Sequence, residues 1–156
     1  LLSTKGLDYQ GDGMASTERR STTDLPVFAD IRQHWNKIKP GIEEVLKENP
    51  YLTYIPEDVY SECVNERAFL YMSSVGFLIL TIEVDQFTKD KTLLLWIAYT
   101  YKKGGHEWLA HEEWFNDLAT SAGCTYLEAR SRVPEMESYT KKIGWELDTR
   151  IYRKKI

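Results

Sequence analysis

The chain has 156 residues, 42% of them hydrophobic and 13% aromatic, enough for one domain with a buried core. Its 24 acids against 20 bases give a net charge of −4, which excludes a general attraction to nucleic acid or anionic lipid. The longest apolar run, Phe77 to Ile82, is far short of the roughly 20 residues a membrane span needs, and no charged-then-apolar leader opens the chain; the expectation is a soluble, intracellular protein.

Residues 1–26 are expected to form an extended tail. Leu1 to Leu25 hold three glycines, a cluster of Ser and Thr and mixed charges without periodicity, and so lack the apolar surface to fold alone. Contact with another chain of an assembly is the expected means of ordering them. Residues 27–156 are expected to form the domain. From Val27 the apolar residues Ile31, Trp35 and Ile38 recur at helical spacing, and Ile42, Val45 and Leu46 continue on the same face after Pro40-Gly41, which predicts two short helices broken at the proline. Asn49-Pro50 ends the second. Pro56-Glu57-Asp58 starts another helix, running to about Asn65 with Val59, Cys63 and Val64 as its apolar stripe.

Strands follow at Ala68 to Ser73, Phe77 to Val84 and Thr92 to Tyr101, with polar turns between them, as in an antiparallel meander. The third is apolar without alternation from Leu93 to Ala98, which marks it as the middle of the sheet, covered on both faces. After Gly104-Gly105, a helix of some five turns carries Trp108, Phe115, Leu118, Ala119 and Ala122 on one face and stops at Gly123. Cys124 to Ala129 reads as a strand and Pro134 to Ile143 as a short helix ended by Gly144. Trp145 to Arg153 reads as a last strand, with Trp145, Leu147, Thr149 and Ile151 alternating. The cations Arg150, Arg153, Lys154 and Lys155 would guard its solvated edge.

Two tempting chemistries are set aside on spacing. His106 and His111 stand five apart, which turns the second ring about 140° from the first on a helix and excludes the i, i+4 pair of a zinc protease; no metal is expected. Cys63 and Cys124 each sit beside apolar residues and read as free thiols.

From about Lys39 onward, the element order, the glycine pair between the long strand and the long helix, and the Lys141-Lys142-Ile143-Gly144-Trp145 run resemble the GNAT superfamily of acetyl-coenzyme-A N-acetyltransferases. The resemblance implies an α+β fold, a mixed, mostly antiparallel twisted sheet flanked by helices. It also implies acetyl-coenzyme A lying along Trp96, Ile97, Ala98 and Tyr99 and over Lys103, Gly104, Gly105 and His106, where a helix N-terminus would face the pyrophosphate. Counting back from Gly144, the family's Asn, Ala and Tyr positions hold Pro134, Met136 and Thr140, so the usual proton donor is altered; Tyr139, one residue away, is the substitute candidate. Glu83 and Asp85, alternating on one face at the end of a strand, are the candidate bases for an amine.

Lys39-Pro-Gly-Ile-Glu-Glu-Val-Leu, Pro56-Glu-Asp-Val-Tyr and Leu95-Trp-Ile-Ala-Tyr further resemble small GNAT-like proteins of tailed bacteriophages. That likeness implies a binding or structural component of a virion or its assembly, located in the particle or the host cytoplasm. It would engage other protein chains through the tail, with no nucleic-acid or membrane contact. The alternative is a working N-acetyltransferase acting on an amine.

Overall fold

The computed structural model describes residues 24–102 and 107–156. A short strand β1 (Val27–Ala29) leads into helix α1 (Ile31–Glu48), then α2 (Pro56–Val64), β2 (Ala68–Met72), β3 (Gly76–Val84) and β4 (Lys91–Thr100). A 3-10 turn (Glu107–His111) precedes α3 (Glu112–Ser121), followed by β5 (Tyr126–Ala129) and α4 (Glu135–Lys142). The five strands lie in chain order, antiparallel from β1 to β4, with β5 added parallel to β4.

Two layers of side chains hold the sheet. On one face α1 and α2 bury Ile31, Ile38, Ile42, Val45 and Val59 against Ala68, Leu70, Phe77, Ile79 and Ile97. On the other, α3 and the turn before it bury Trp108, Phe115 and Ala119 against Leu78, Leu80, Leu93, Leu95 and Ala98. The alternation along β3 between these layers is the period of two that a doubly covered strand requires.

The structure corrects several expectations. The proline does not break the first helix: α1 runs through Pro40 for 18 residues. Proline removes one N–H, the bond to the Asn36 carbonyl, on the exposed side of the helix, while the face carrying Ile31, Ile38, Ile42 and Val45 stays buried and continuous. Val27 to Ala29 pairs with β2 instead of starting that helix, and Asp30 caps α1 by accepting from Arg32 N at 3.0 Å.

β3, not β4, is the middle strand, with Phe77 to Leu80 fully buried. An unbroken apolar run shows that two faces are covered; it does not say how many strands lie on either side. The long helix begins as a 3-10 turn, and its α-helical part covers only Glu112–Ser121, closed by Gly123 at φ 71°. Residues 145–156 form no strand: alternation supplies a face, but no partner strand lies against it among the described residues. The tail expectation for 1–26 falls almost wholly outside the described residues.

Candidate functional site

β4 and β5 part company midway. Thr92 to Leu95 pair with Tyr126 to Ala129, and β5 then ends while β4 continues to Thr100. At the same place the register with β3 slips: Leu80 pairs with Leu95 but Ile79 with Ile97, which leaves Trp96 as an extra residue. This is a β-bulge, which raises the local twist and bends the strand that carries it. Its effect is visible in the packing, since the consecutive residues Trp96 and Ile97 both join the α1/α2 layer, whereas Leu95 and Ala98 join the α3 layer.

Past the bulge the strand's polarity can be assigned. Tyr101 N donates to Val75 O at 2.8 Å, and Phe77 pairs with Tyr99 in the same phase. In an antiparallel ladder alternate residues bond to the same neighbour, so Tyr99 and Tyr101 face β3. Ala98 and Thr100 therefore direct their N–H and C=O groups to the side where β5 has ended. The result is an opening beside β4, edged by peptide groups that have no neighbouring strand among the described residues.

The α1 side of the opening is aromatic and acidic. Gly41 sits over the stacked rings of Phe77 and Tyr99, whose centroids are 5.2 Å apart. One turn along α1, Glu44 accepts a 2.6 Å hydrogen bond from the Tyr99 hydroxyl. Tyr54, from the α1–α2 connection, packs on Trp96 at 5.3 Å, and burial pushes its phenol up to about 12, so it stays neutral. The connection is pinned by Asn49, only 4% exposed, which donates to Val45 O at 2.7 Å and accepts from the Tyr51 hydroxyl at 2.9 Å. Tyr51 in turn lies under the Arg132 guanidinium at 3.6 Å, a cation–π contact that ties this connection to the segment after β5.

The residues singled out from sequence fall in three places. Trp96, Ile97, Ala98 and Tyr99 form the free half of β4 and its bulge. Lys103, Gly104, Gly105 and His106 lie outside the described residues. Glu83 pairs across from Thr92, at the end of β4 that β5 still covers, and its carboxylate takes two bonds from Arg130, at 2.6 and 3.2 Å. Asp85 lies just beyond β3 and accepts from Thr88 N and Phe87 N, each at 2.8 Å; these amides hold its carboxyl below the usual carboxylate range. Tyr139 is half-buried on α4, and the neighbouring Thr140 donates to Met136 O at 2.7 Å.

Glu44, Tyr54 and Arg132 escaped the sequence reading. For Glu44 the signal was available, because it stands three residues after Gly41 on a helix whose other faces are accounted for. Tyr54 and Arg132 lie in connections, where periodicity carries no signal. No metal-binding cluster occurs among the described residues, and both cysteines are free thiols. No described helix is long and apolar enough to cross a membrane.

No model of a known protein family and no curated protein sequence matches the chain. Solved structures do resemble it. A ribosomal-protein-alanine N-acetyltransferase from Brucella melitensis superposes with a TM-score of 0.62 at 15% identity, covering 85% of this chain and 98% of that one. An acetyltransferase from Trypanosoma brucei gives 0.54 at 13% identity, covering 85% and 99%. A transcriptional regulator from Bacillus halodurans gives 0.60 at 10% identity, covering 85% and 100%. At these identities the likeness establishes the fold, and the differing descriptions of the three show that the fold alone does not fix a function.

Proposed function

We propose that this GNAT-fold chain binds acetyl-coenzyme A in the opening between β4 and β5 and transfers the acetyl group to an amine. The observation that carries the reading is the coincidence of the Trp96 bulge with the end of β4–β5 pairing at Leu95 and Ala129. The outward peptide groups of Ala98 and Thr100 suit a ligand arm that itself contains amides, since such an arm can bond to β4 as a neighbouring strand would. The pantetheine arm of coenzyme A has that chemistry. When bound, the cofactor supplies an acyl group activated as a thioester.

This chain's own contribution is chiefly positioning. Ala98 and Thr100 fix the height of the arm along β4, and Trp96 with Tyr54 forms an apolar wall that keeps water from one side. Glu44, held by Tyr99, offers a carboxylate toward which an ammonium would orient. Asp85, kept ionised by its turn amides, is a weaker base than an ordinary carboxylate. Thr140 is a poor proton donor, and its hydroxyl is committed to the Met136 carbonyl. Tyr139 remains the proposed acid for the leaving thiolate. Holding the reactants together can supply much of the barrier reduction without either group, so slow turnover is the expected regime.

The test is thermal unfolding with and without ligand. At a concentration about 100 times Kd, acetyl-coenzyme A stabilises the folded state by about 2.7 kcal/mol, which is a rise of about 5–10 °C for a domain of this size. No rise at millimolar ligand would overturn the proposal. Given binding, Tyr139→Phe should lower kcat by at least about 100-fold with KM for acetyl-coenzyme A unchanged if Tyr139 is the acid; an unchanged kcat removes it from that role.

A second reading is favoured by the altered signature positions Pro134, Met136 and Thr140: a domain retained for binding, within a phage particle or its assembly, as the sequence likeness implies. It calls for the same fold without turnover and for a protein partner engaged through residues 1–26. Absence of both ligand stabilisation and acetyl transfer, with capture of a virion protein lost on deleting that tail, would select it.

A further inference from the structure

Where β5 ends, the opening is bordered by a side chain that the acetyl-transfer chemistry leaves unused. Arg132, three residues past the end of β5, lays its guanidinium on the Tyr51 ring at 3.6 Å. The platform under it is fixed. The Tyr51 hydroxyl donates to Asn49, which is 4% exposed and itself donates to Val45 O near the end of α1. Tyr54, three residues further along the same connection, packs on Trp96, the first residue of β4 beyond its pairing with β5. The stack therefore carries the segment after β5 across to the α1–α2 connection at the point where the opening begins.

Other arginines are matched by acids. Arg130, two residues earlier, meets Glu83 and Glu128; Arg67 meets Glu62, and Arg32 meets Asp30. Arg132 is exposed, and its contact is with a ring; it pairs with no carboxylate among the described residues. Stacking occupies the face of a guanidinium and leaves the N–H groups on its edge, whose fork matches a carboxylate. Burial raises the Tyr51 phenol above its ordinary value against the pull of that cation, so the ring beneath stays neutral. The opposite charge stands on α1, where Glu44 accepts from the Tyr99 hydroxyl at 2.6 Å. From Glu44 to Asn49 the helix rises about 7.5 Å. That is the scale of an ammonium and a carboxylate on one carbon, with a charge-assisted hydrogen bond of about 2.8 Å at either end. A diamine would bring like charge to Arg132, and the N-terminus of a peptide has no carboxylate beside its amine.

We propose that Arg132, held on Tyr51 by the buried Asn49, takes the α-carboxylate of the acetyl acceptor, which makes that acceptor a free α-amino acid with its ammonium turned toward Glu44. The assignment rests on the acetyl-transfer reading of the opening and narrows its amine to one chemical class. Arg132 is then a specificity-determining residue: it meets the acceptor's carboxylate and leaves the coenzyme's arm to Ala98 and Thr100.

The experiment measures acetyl transfer from acetyl-coenzyme A to the common free amino acids, each beside its own carboxamide. In parallel, the NMR signal of the Arg132 Nε–H group is followed as the same compounds are added without an acyl donor. At least one amino acid should be used with a kcat/KM at least about 10-fold above its carboxamide, and should move the Arg132 signal. Arg132→Gln should lower kcat/KM for that acid by about 10- to 100-fold, through KM, and leave the carboxamide unaffected, so that the preference collapses. Arg132→Lys, which keeps the charge without the planar fork, should fall between. A purely structural role would lower both substrates together. Equal use of acid and carboxamide overturns the proposal, as does a preference that survives Arg132→Gln or an Arg132 signal that no amino acid moves. Stabilisation by acetyl-coenzyme A with no amino acid bound removes this inference alone; absence of that stabilisation removes the acetyl-transfer reading and this one with it.

Discussion

The Tyr99 hydroxyl donates to Glu44 at 2.6 Å between two packed elements, and a bond to a charged, half-buried carboxylate is stronger than one at the surface. Tyr99→Phe should therefore cost about 1–3 kcal/mol, read as a lower urea midpoint at unchanged slope. Arg130→Ala removes bonds of similar length to Glu83 and Glu128, but all three side chains are about half exposed, and the loss should stay under about 1 kcal/mol. The comparison turns on solvent access, since the distances are alike. Asp85 sets an acid limit. Its turn amides hold its folded-state carboxyl below the 3.8 of an unperturbed aspartate. The stability it contributes is then present above pH 3.8 and is lost as pH falls through the depressed folded value. Asp85→Asn should lower the melting temperature in the neutral region, where that contribution is present, and flatten the acid limb of the profile in that window. Glu83 and Asp85 were legible as a pair of acids at a strand end, but which partners would occupy them was not: Arg130 arrives from 47 residues away.

At the scale of elements, α1 shows how packing decides against propensity. Alanine in place of Gly41 should gain up to about 1 kcal/mol of helix propensity. A Cβ there, however, would lie 2.6 Å from Phe77 Cε1 and 2.9 Å from Tyr99 Cδ1. Both rings are stacked against the sheet, so the helix must lift, and overpacking of this kind costs about 1–3 kcal/mol. Gly41→Ala is expected to lower stability on balance, measured by denaturant unfolding. The helices and the β2–β4 meander could be read from sequence because each carries a buried face long enough to show its period. Pro40 misled because a rule about one hydrogen bond was set against a buried face of five turns. The final strand misled for a different reason: alternation reports a face that could be buried, and pairing depends on where the rest of the chain, or another chain, puts an edge.

For the molecule as a whole, the opening depends on an event no local pattern announces. The run Leu93 to Ala98 reads as uniformly apolar, and nothing in it marks Trp96 as supernumerary; only the register against β3 does so. The likeness to a known fold put the expected ligand-facing stretch at Trp96 to Tyr99, and β5 ends beside the start of that stretch, at Ala129. Residues 103–106, the expected anion site, lie outside the described structure, so the ligand titration tests the arm-binding half of the proposal most directly.

The extra residue in β4 has one further consequence. Deleting Trp96 alone would bring Leu95 and Ile97 into regular succession opposite Leu80 and Ile79 without inverting a single inward or outward side chain on either half. Removing Leu95 instead would put Trp96 in the place opposite Leu80 and turn its ring toward the α3 layer. One-residue shortening is thus a switch for strand straightness: the protein lacking Trp96 should still fold, and its unkinked β4 should zip further along the chain following Ala129 and shut out the coenzyme. Retained acetyl-coenzyme A stabilisation in that folded deletion variant would show that the kink is not what keeps the cleft open.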